Sequence, residues 1–363
     1  MIDQTIIDAI QSWTPGSDPL SWRAEKFQAL ADQLFHYQYT HNQAYRTLCD
    51  NRGITPDSSP SVNEIPAVPT DAFKVAHLFS DAEKVHTFRT SGTTGEARGA
   101  HHFRTLDVYA ASLHPTFQHF CNPEAMALRC LILAPPPAQM PESSLSYMLG
   151  ELLGRWGDEK SRYFVDLDDQ GQWQLDASAL EQALHEACAD NTRTMVFGTA
   201  FAFAEFFDRL HRSWQLPEGS RLMETGGFKG RTRTISRDEL YQAFTDRLGI
   251  APSYCLGEYS MTELSSQTYT DRLIAGDAAT GRFYGPPWLK IDVVDPLTLS
   301  PIDTRGQVGL IRFFDLANID SVSAIQTSDR GIVHPDGGLE LLGRAPDAEL
   351  RGCSLTIEEI VDQ

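Results

Sequence analysis

Basic residues are scarce in this chain: 30 lysines and arginines stand against 49 aspartates and glutamates in 363 residues, a net charge of −19. A protein of that balance lacks the positive field on which sequence-independent binding to nucleic acid depends. Long apolar runs are lacking too. The longest, from Met195 to Phe207, contains Glu205 and falls short of the roughly 20 residues that cross a bilayer, so no membrane span is expected. No lysine or arginine precedes the short apolar stretch within Met1 to Gln11. The basic start of a secretory leader is therefore missing, and a cytoplasmic protein is expected. The six cysteines, Cys49, Cys121, Cys130, Cys188, Cys255 and Cys353, form no Cys-x-x-Cys pair and no zinc-like cluster with histidine. Free, mostly buried thiols follow as the default.

What is present fits a soluble globular chain, with 41% hydrophobic residues and a length that usually means roughly two structural units. From Ser21 to Arg52, Trp22, Phe27, Leu30, Leu34, Tyr37, Tyr45 and Leu48 recur at helical spacing, which predicts one or two amphipathic helices in an N-terminal segment, residues 1–64. Prolines 56, 60, 66 and 69 then mark a loop. Beyond Thr87, short apolar runs alternate with longer helical patterns: Leu128 to Ala134, Leu145 to Trp156, Tyr163 to Leu167, Ala177 to Ala189, Thr194 to Gly198 and Ala200 to Trp214. That alternation predicts a layered α/β body over residues 65–342. Within it, Leu289 to Val294, Gly309 to Phe314 and Gly338 to Leu342 are strand candidates of a small β lobe over about 283–342.

The sharpest local signal is Thr90-Ser91-Gly92-Thr93-Thr94-Gly95-Glu96-Ala97-Arg98-Gly99. Glycines let a backbone approach phosphate closely, successive N–H groups and hydroxyls donate, and Arg98 adds positive charge. The Walker spacing is absent, which disfavours a P-loop NTPase, and a plain turn has a similar composition. Three further segments follow: Tyr259-Ser260-Met261-Thr262-Glu263, Thr327-Ser328-Asp329-Arg330-Gly331 and Gly343-Arg344-Ala345-Pro346-Asp347. Taken alone, the first reads as a strand end with a capping box and the second as a turn.

Together and in this order, the four segments resemble the motifs of the adenylate-forming superfamily of acyl-CoA synthetases, luciferases and adenylation domains. The resemblance implies that superfamily's fold, a layered α/β body like its N-terminal domain with a small β lobe, and ATP and Mg²⁺ as cofactors. It places Ser91, Gly92, Thr93, Thr94 and Gly95 on the phosphates, Gly226, Gly227 and Phe228 with Tyr259 at the adenine, and Asp329 on the ribose, with Thr262 and, at the start of the hinge, Arg344 as further ATP-binding residues. Thr94 and Glu263 would hold the metal. Two positions depart from the pattern: Arg98 stands where lysine is usual, and Ser260 where glycine is usual. Arginine keeps the charge at a catalytic position.

Only sixteen residues follow Asp347, where superfamily members continue into a mobile C-terminal domain, so residues 343–363 are expected to form a hinge-like stub. This end carries Arg351-Gly352-Cys353-Ser354-Leu355-Thr356. With Glu224-Thr225-Gly226-Gly227-Phe228-Lys229-Gly230 and Met261-Thr262-Glu263-Leu264-Ser265-Ser266-Gln267, it resembles the acyl-protein synthetase (LuxE) family, fatty-acid-activating subunits of a bacterial fatty acid reductase complex. The resemblance implies ATP-dependent conversion of a carboxylic acid, a long-chain fatty acid, to acyl-AMP. The acyl group would pass to Cys353 as nucleophile and then to an acyl-reductase subunit. An extended stretch would point Arg351 and Cys353 the same way, favouring the thiolate. Two alternatives stay open: a ligase that delivers another biosynthetic acid to a carrier protein or amine, and a non-catalytic nucleotide-binding subunit. His101 and His102 follow the phosphate loop and either touch the carboxylate or the α-phosphate or are ordinary surface or strand histidines. Phe201, Phe203, Phe206 and Phe207 line either an acyl tunnel or the interior, and the basic run Arg221, Lys229, Arg231, Arg233 and Arg237 reads first as a solvated face.

Overall fold

The computed structural model describes residues 2–18, 22–80, 83–91, 97–210, 212–226, 236–302, 304–346 and 350–361, without the side chains at 351 and 361. In chain order the helices are α1 (Ile2–Gln11), α2 (Ala24–His41), α3 (Gln43–Asn51), α4 (Asp107–Cys121), α5 (Ser144–Trp156), α6 (Ala177–Ala189), α7 (Ala200–Arg209), α8 (Arg237–Leu248), α9 (Arg272–Ala275) and α10 (Arg351–Val361). The strands are β1 (Val68–Pro69), β2 (His86–Arg89), β3 (Ala100–Phe103), β4 (Arg129–Leu133), β5 (Arg162–Tyr163), β6 (Val165–Leu167), β7 (Trp173–Leu175), β8 (Thr194–Thr199), β9 (Arg221–Thr225), β10 (Cys255–Tyr259), β11 (Thr268–Thr270), β12 (Phe283–Tyr284), β13 (Leu289–Val294), β14 (Val308–Asp315), β15 (Ala324–Val333) and β16 (Leu339–Arg344). They form two compact units: Phe117–Ser260 with Tyr269–Phe283, and Met1–Thr116 with Met261–Thr268 and Tyr284–Gln363.

The first of these units is α/β. Strands β10, β9, β8, β4 and β5 lie side by side and parallel. Parallel strands need long crossovers, and α5 to α8 supply them. Strands covered on both faces read as unbroken apolar runs, as Cys130-Leu131-Ile132-Leu133 and Met195-Val196-Phe197 do. The helices start at side-chain caps: Asp176 accepts from the Ala179 amide, Thr199 from Ala202, and Ser236 from Glu239 in a reciprocal capping box. Gly249 ends α8 at φ 68°, a conformation that favours glycine.

The core of this unit packs Leu131, Val196 and Leu222 against Phe203 and Phe206 of α7 and Phe244 of α8. Phe203 and Phe206 are fully buried, so these two rings belong to the interior. Phe206→Ala is expected to cost about 3–5 kcal/mol in urea denaturation, the range for deleting a buried ring. It should leave any acid chain-length preference unchanged; a shifted preference at unchanged stability would place Phe206 in an acyl tunnel instead. The basic run is likewise not a solvated face throughout. Arg221 is fully buried, donating to the Cys121 carbonyl at 2.7 Å and pairing with Glu124 at 3.1 Å; Lys229, Arg231 and Arg233 lie outside the described residues.

In the other unit β13, β14, β15 and β16 form an antiparallel meander, and β1 runs parallel to β15 with Val68 opposite Ile325. Three local expectations change here. The stretch before Pro69 is not loop throughout, because Val68 and Pro69 make the short strand β1. Thr327 to Gly331 is the middle of β15 rather than a turn, with an irregularity between Arg330 and Gly331. A Cβ at Gly331 would lie 2.8 Å from the Glu340 carbonyl oxygen, so glycine there permits the close pairing with β16. Arg351 to Thr356 is the start of helix α10 rather than an extended stretch. Helices α2 and α3 realise the N-terminal periodicity. The fully buried Gln38 of α2 donates to the Asn318 and Ile319 carbonyls at 2.7 and 3.1 Å and accepts from the Ser323 amide at 3.0 Å.

Candidate functional site

The carboxyl ends of parallel strands are where open α/β sheets present ligand-binding groups. In the α/β unit, Thr199, Thr225 and Glu258 sit in one register row at the ends of β8, β9 and β10. Gly226 follows β9 at φ 66°, and Tyr259 ends β10, half-buried, its ring 6.0 Å from that of Phe283. A Cβ at Gly257 would lie 3.2 Å from the same Phe283 ring. The Thr225 hydroxyl hydrogen-bonds the Glu258 carboxylate. Beside it, Glu224 is 4% exposed and accepts from Arg237 at 2.9 Å and Tyr241 at 3.2 Å. Burial raises the Glu224 carboxyl above its ordinary range even against the Arg237 charge. This cluster fixes the end of β9 to the start of α8, and sequence reasoning missed it.

In the other unit, β2 and β3 pair antiparallel around the glycine-rich segment, with Phe88 opposite His101. Ser91 is exposed, and Arg98 donates from Nε to the Thr90 carbonyl at 2.7 Å. The Gly99 amide donates to Thr90 Oγ1 at 2.9 Å. Gly92, Thr93, Thr94 and Gly95 lie outside the described residues, as do Gly227 and Phe228.

Behind these strands a buried polar network grips residues 262–266. His101, fully buried, lies with Nδ1 2.8 Å from the Thr262 carbonyl. A carbonyl only accepts, so Nδ1 carries the proton. Ser321 Oγ stands 3.0 Å from the other ring nitrogen and 3.1 Å from Asn318 Oδ1. Asn318 donates to the Glu263 carbonyl at 2.8 Å, and Asp315 accepts from the Ser265 and Ser266 amides at 2.9 and 2.8 Å and from the Ser266 hydroxyl at 2.7 Å. Burial holds His101 down at about 4, so the ring is neutral at physiological pH. His101 is thus part of the interior, and Glu263 itself is 6% exposed.

Asp329 pairs in register with Arg344 across β15 and β16, Arg344 Nε lying 3.6 Å from the carboxylate. Arg344 is 80% exposed. Cys353 sits in the first turn of α10, 6% exposed, among Val294, Leu310 and Ala345. Burial, with the Asp71 charge second, pushes its thiol up to about 11. The helix is fastened to α3: Arg52 meets Glu359 at 2.8 Å and Thr356 Oγ1 at 2.7 Å, and Asn51 donates to the Glu359 carbonyl at 3.0 Å. The structure therefore joins Thr262 to His101 and Glu263 to Asn318, joins Asp329 to Arg344, and sets Cys353 apart in its own apolar cluster.

The model of the acyl-protein synthetase, LuxE, family matches residues 2–361 of the sequence. The chain belongs to the LuxE family. Two LuxE relatives are long-chain-fatty-acid–luciferin-component ligases: one from Aliivibrio fischeri, 21% identical over 95% of this chain and 92% of its own, and one from Vibrio harveyi, 21% identical over 94% and 90%. Among solved structures the fold resembles a 2-hydroxyisobutyryl-CoA ligase in complex with 2-HIB-AMP and CoA (TM-score 0.59, 14% identity, 90% of this chain and 75% of that one). It also resembles ATP-bound MatB from Rhodopseudomonas palustris (TM-score 0.51, 16% identity), in which 73% of this chain spans 50% of the other. This LuxE chain thus has the fold of adenylate-forming enzymes. Among its described residues no group of three or more His, Cys, Asp or Glu converges as a metal cage. Mg²⁺ needs none when one or two carboxylates act with substrate phosphates.

Proposed function

We propose that this protein activates a carboxylic acid with ATP, in keeping with the LuxE match and the adenylate-forming fold, and that the acid is a long-chain fatty acid, as the names of its relatives suggest. The observation that carries the reading is the Thr262–Glu263 segment, whose two carbonyls are held by His101 and Asn318 in a buried network. A group set to meet MgATP repeatedly has to be immobile beforehand, and satisfied buried hydrogen bonds provide that. A carboxylate oxygen of the acid attacks the α-phosphorus of ATP, and the bond to pyrophosphate breaks. Thr94 and Glu263 would hold Mg²⁺, which supplies charge neutralisation on the phosphates. Ser91, Gly92, Thr93 and Gly95 with Arg98 cradle the phosphates. On the family resemblance, Gly226, Gly227, Phe228, Tyr259, Thr262, Asp329 and Arg344 are assigned to ATP binding, with Asp329 on the ribose. Residues 65–342 form the adenylating body.

The Cys353 thiolate then attacks the acyl carbonyl, the bond to AMP breaks, and an acyl-reductase subunit in the cytoplasm receives the acyl group. That step asks α10 to leave its seat, since a protonated, buried thiol is no nucleophile. The same burial favours a second reading, in which the acyl group goes directly to a carrier protein or amine and Cys353 serves packing. Intact mass spectrometry after incubation with ATP, Mg²⁺ and a panel of acids separates the two. A hydroxylamine-labile adduct on the wild type, absent from Cys353→Ser, is expected; acid-dependent AMP formation with no adduct supports the second reading.

A further inference from the structure

We infer that His101 is a positioning residue for the adenylation chemistry, working through the Thr262 carbonyl to fix the Thr262–Glu263 segment against the strand that leaves the glycine-rich loop. The inference rests on the reading of Glu263 as the Mg²⁺ ligand. His101 lies on β3, two residues beyond Gly99, and is paired through Phe88 to β2, so its backbone moves with the hairpin that brackets residues 90–99. Its ring spans to another part of the chain: Nδ1 reaches Thr262 O at 2.8 Å, 161 residues away in sequence.

The network leaves the imidazole one workable arrangement. Nδ1 must donate, because the Thr262 carbonyl has no proton to give. A neutral ring then offers Nε2 as an acceptor, and the Ser321 hydroxyl at 3.0 Å is its donor. With that proton used, Asn318 Oδ1 is served by the Ser265 hydroxyl at 3.3 Å, while Asn318 Nδ2 holds the Glu263 carbonyl. Asp315 fixes the next two amides. From Thr262 to Ser266, the chain is therefore tied at the first two carbonyls and the last two amides, and the ring is its link to β3. The ring is fully buried, which argues for an action through the backbone rather than on substrate.

Two amide replacements divide the functions of the ring. Asparagine places a donor near Nδ1, and glutamine places its amide near Nε2. His101→Asn is expected to keep the Thr262 tie, with KM for MgATP and the Mg²⁺ concentration for half-maximal pyrophosphate exchange within threefold of wild type. His101→Gln is expected to raise both at least tenfold with a smaller change in kcat. Hydrogen exchange of a peptide spanning residues 258–268 gives a reading independent of activity: faster exchange than wild type in His101→Gln, wild-type protection in His101→Asn. Equal behaviour of the two variants, or a loss of melting temperature with KM and peptide protection unchanged, would overturn the inference. Glu263→Gln serves as the control. If it leaves Mg²⁺ dependence intact, the underlying reading of Glu263 fails, whereas the exchange pattern still judges the His101 tie on its own.

Discussion

Glu263→Gln is expected to lower acid-dependent exchange of pyrophosphate into ATP by at least about 100-fold, with folding preserved. The substitution keeps the shape and removes the charge. Electrostatic groups aimed at a transferring phosphoryl centre are worth roughly 10²–10³ in kcat when one is lost, because they act in a site where water does not compete. The ties from His101, Asn318 and Asp315 to the backbone of residues 262–266 are left in place by the change from carboxylate to amide. Circular dichroism and melting temperature should therefore stay near wild type. Raised Mg²⁺ should recover part of the rate, and exchange that is unaffected at every Mg²⁺ concentration would remove Glu263 from the site.

Gly352→Val, combined with Arg52→Ala, should raise the rate of maleimide labelling of Cys353 at pH 7.5 about 100-fold. A Cβ at Gly352 would lie 2.9 Å from Leu299 Cγ and 3.1 Å from the Leu297 carbonyl, so a branched side chain drives the first turn of α10 from its seat. Arg52 supplies the clasp at the far end through Glu359 and Thr356. Thiolate is the reactive form, and a thiol at about 11 carries about 100-fold less of it at neutral pH than one at the ordinary 9.0. The sign of the pH dependence follows. The folded value lies above the unfolded one, so docking of Cys353 is fully favourable below pH 9 and weakens as pH rises toward 11. In the wild type, labelling should climb with pH through that window without levelling near 9. Equal labelling rates in wild type and the double variant would show that α10 does not shield the thiol.

How much of this was legible in the sequence differs by element. Strand β4 and β8 announce themselves, since parallel strands buried on both faces are continuous apolar runs. Strand β13 is present over the residues its pattern picks out, Leu289 to Val294. The helical spacing of Phe27, Leu30 and Leu34 identifies α2 because one face packs inward. Thr327 to Gly331 misleads, because Ser, Asp and Gly are turn formers in isolation, and only pairing with β14 and β16 holds them extended. Arg351 to Thr356 misleads for a related reason. Gly352 is a poor helix former, and its compensating virtue, close approach to Leu297 and Leu299, is a tertiary fact.

The motif residues of the candidate site could be read from order along the chain, but their supports could not. His101, Asp315, Asn318 and Ser321 are spread over more than 200 positions and converge only after β3 and β14 are in place. Two local signals were available: the hydroxyl pair Ser265-Ser266, separated from Glu263 by Leu264 alone, and the polar residues Asp315, Asn318, Asp320 and Ser321 crowded among apolar residues from the end of β14 to the start of β15. Buried polar groups of that density need partners: Asp315 and Asn318 find them in the backbone of the Glu263 segment, Ser321 in His101 and Asn318, and Asp320 in Arg104. The cluster of Glu224 with Arg237 and Tyr241 carried no comparable signal: Glu224 stands in a family segment and Arg237 in the basic run, and nothing in their spacing pairs them.

The most direct measurement is acid-dependent exchange of labelled pyrophosphate into ATP by the wild-type protein with Mg²⁺, across fatty acids of graded length and a set of aromatic and short acids. The account predicts exchange that requires the acid, is strongest with long-chain fatty acids and disappears when Mg²⁺ is chelated. Absence of exchange with every acid, in a protein that still binds ATP, would contradict it and leave a nucleotide-binding subunit without adenylation chemistry of its own.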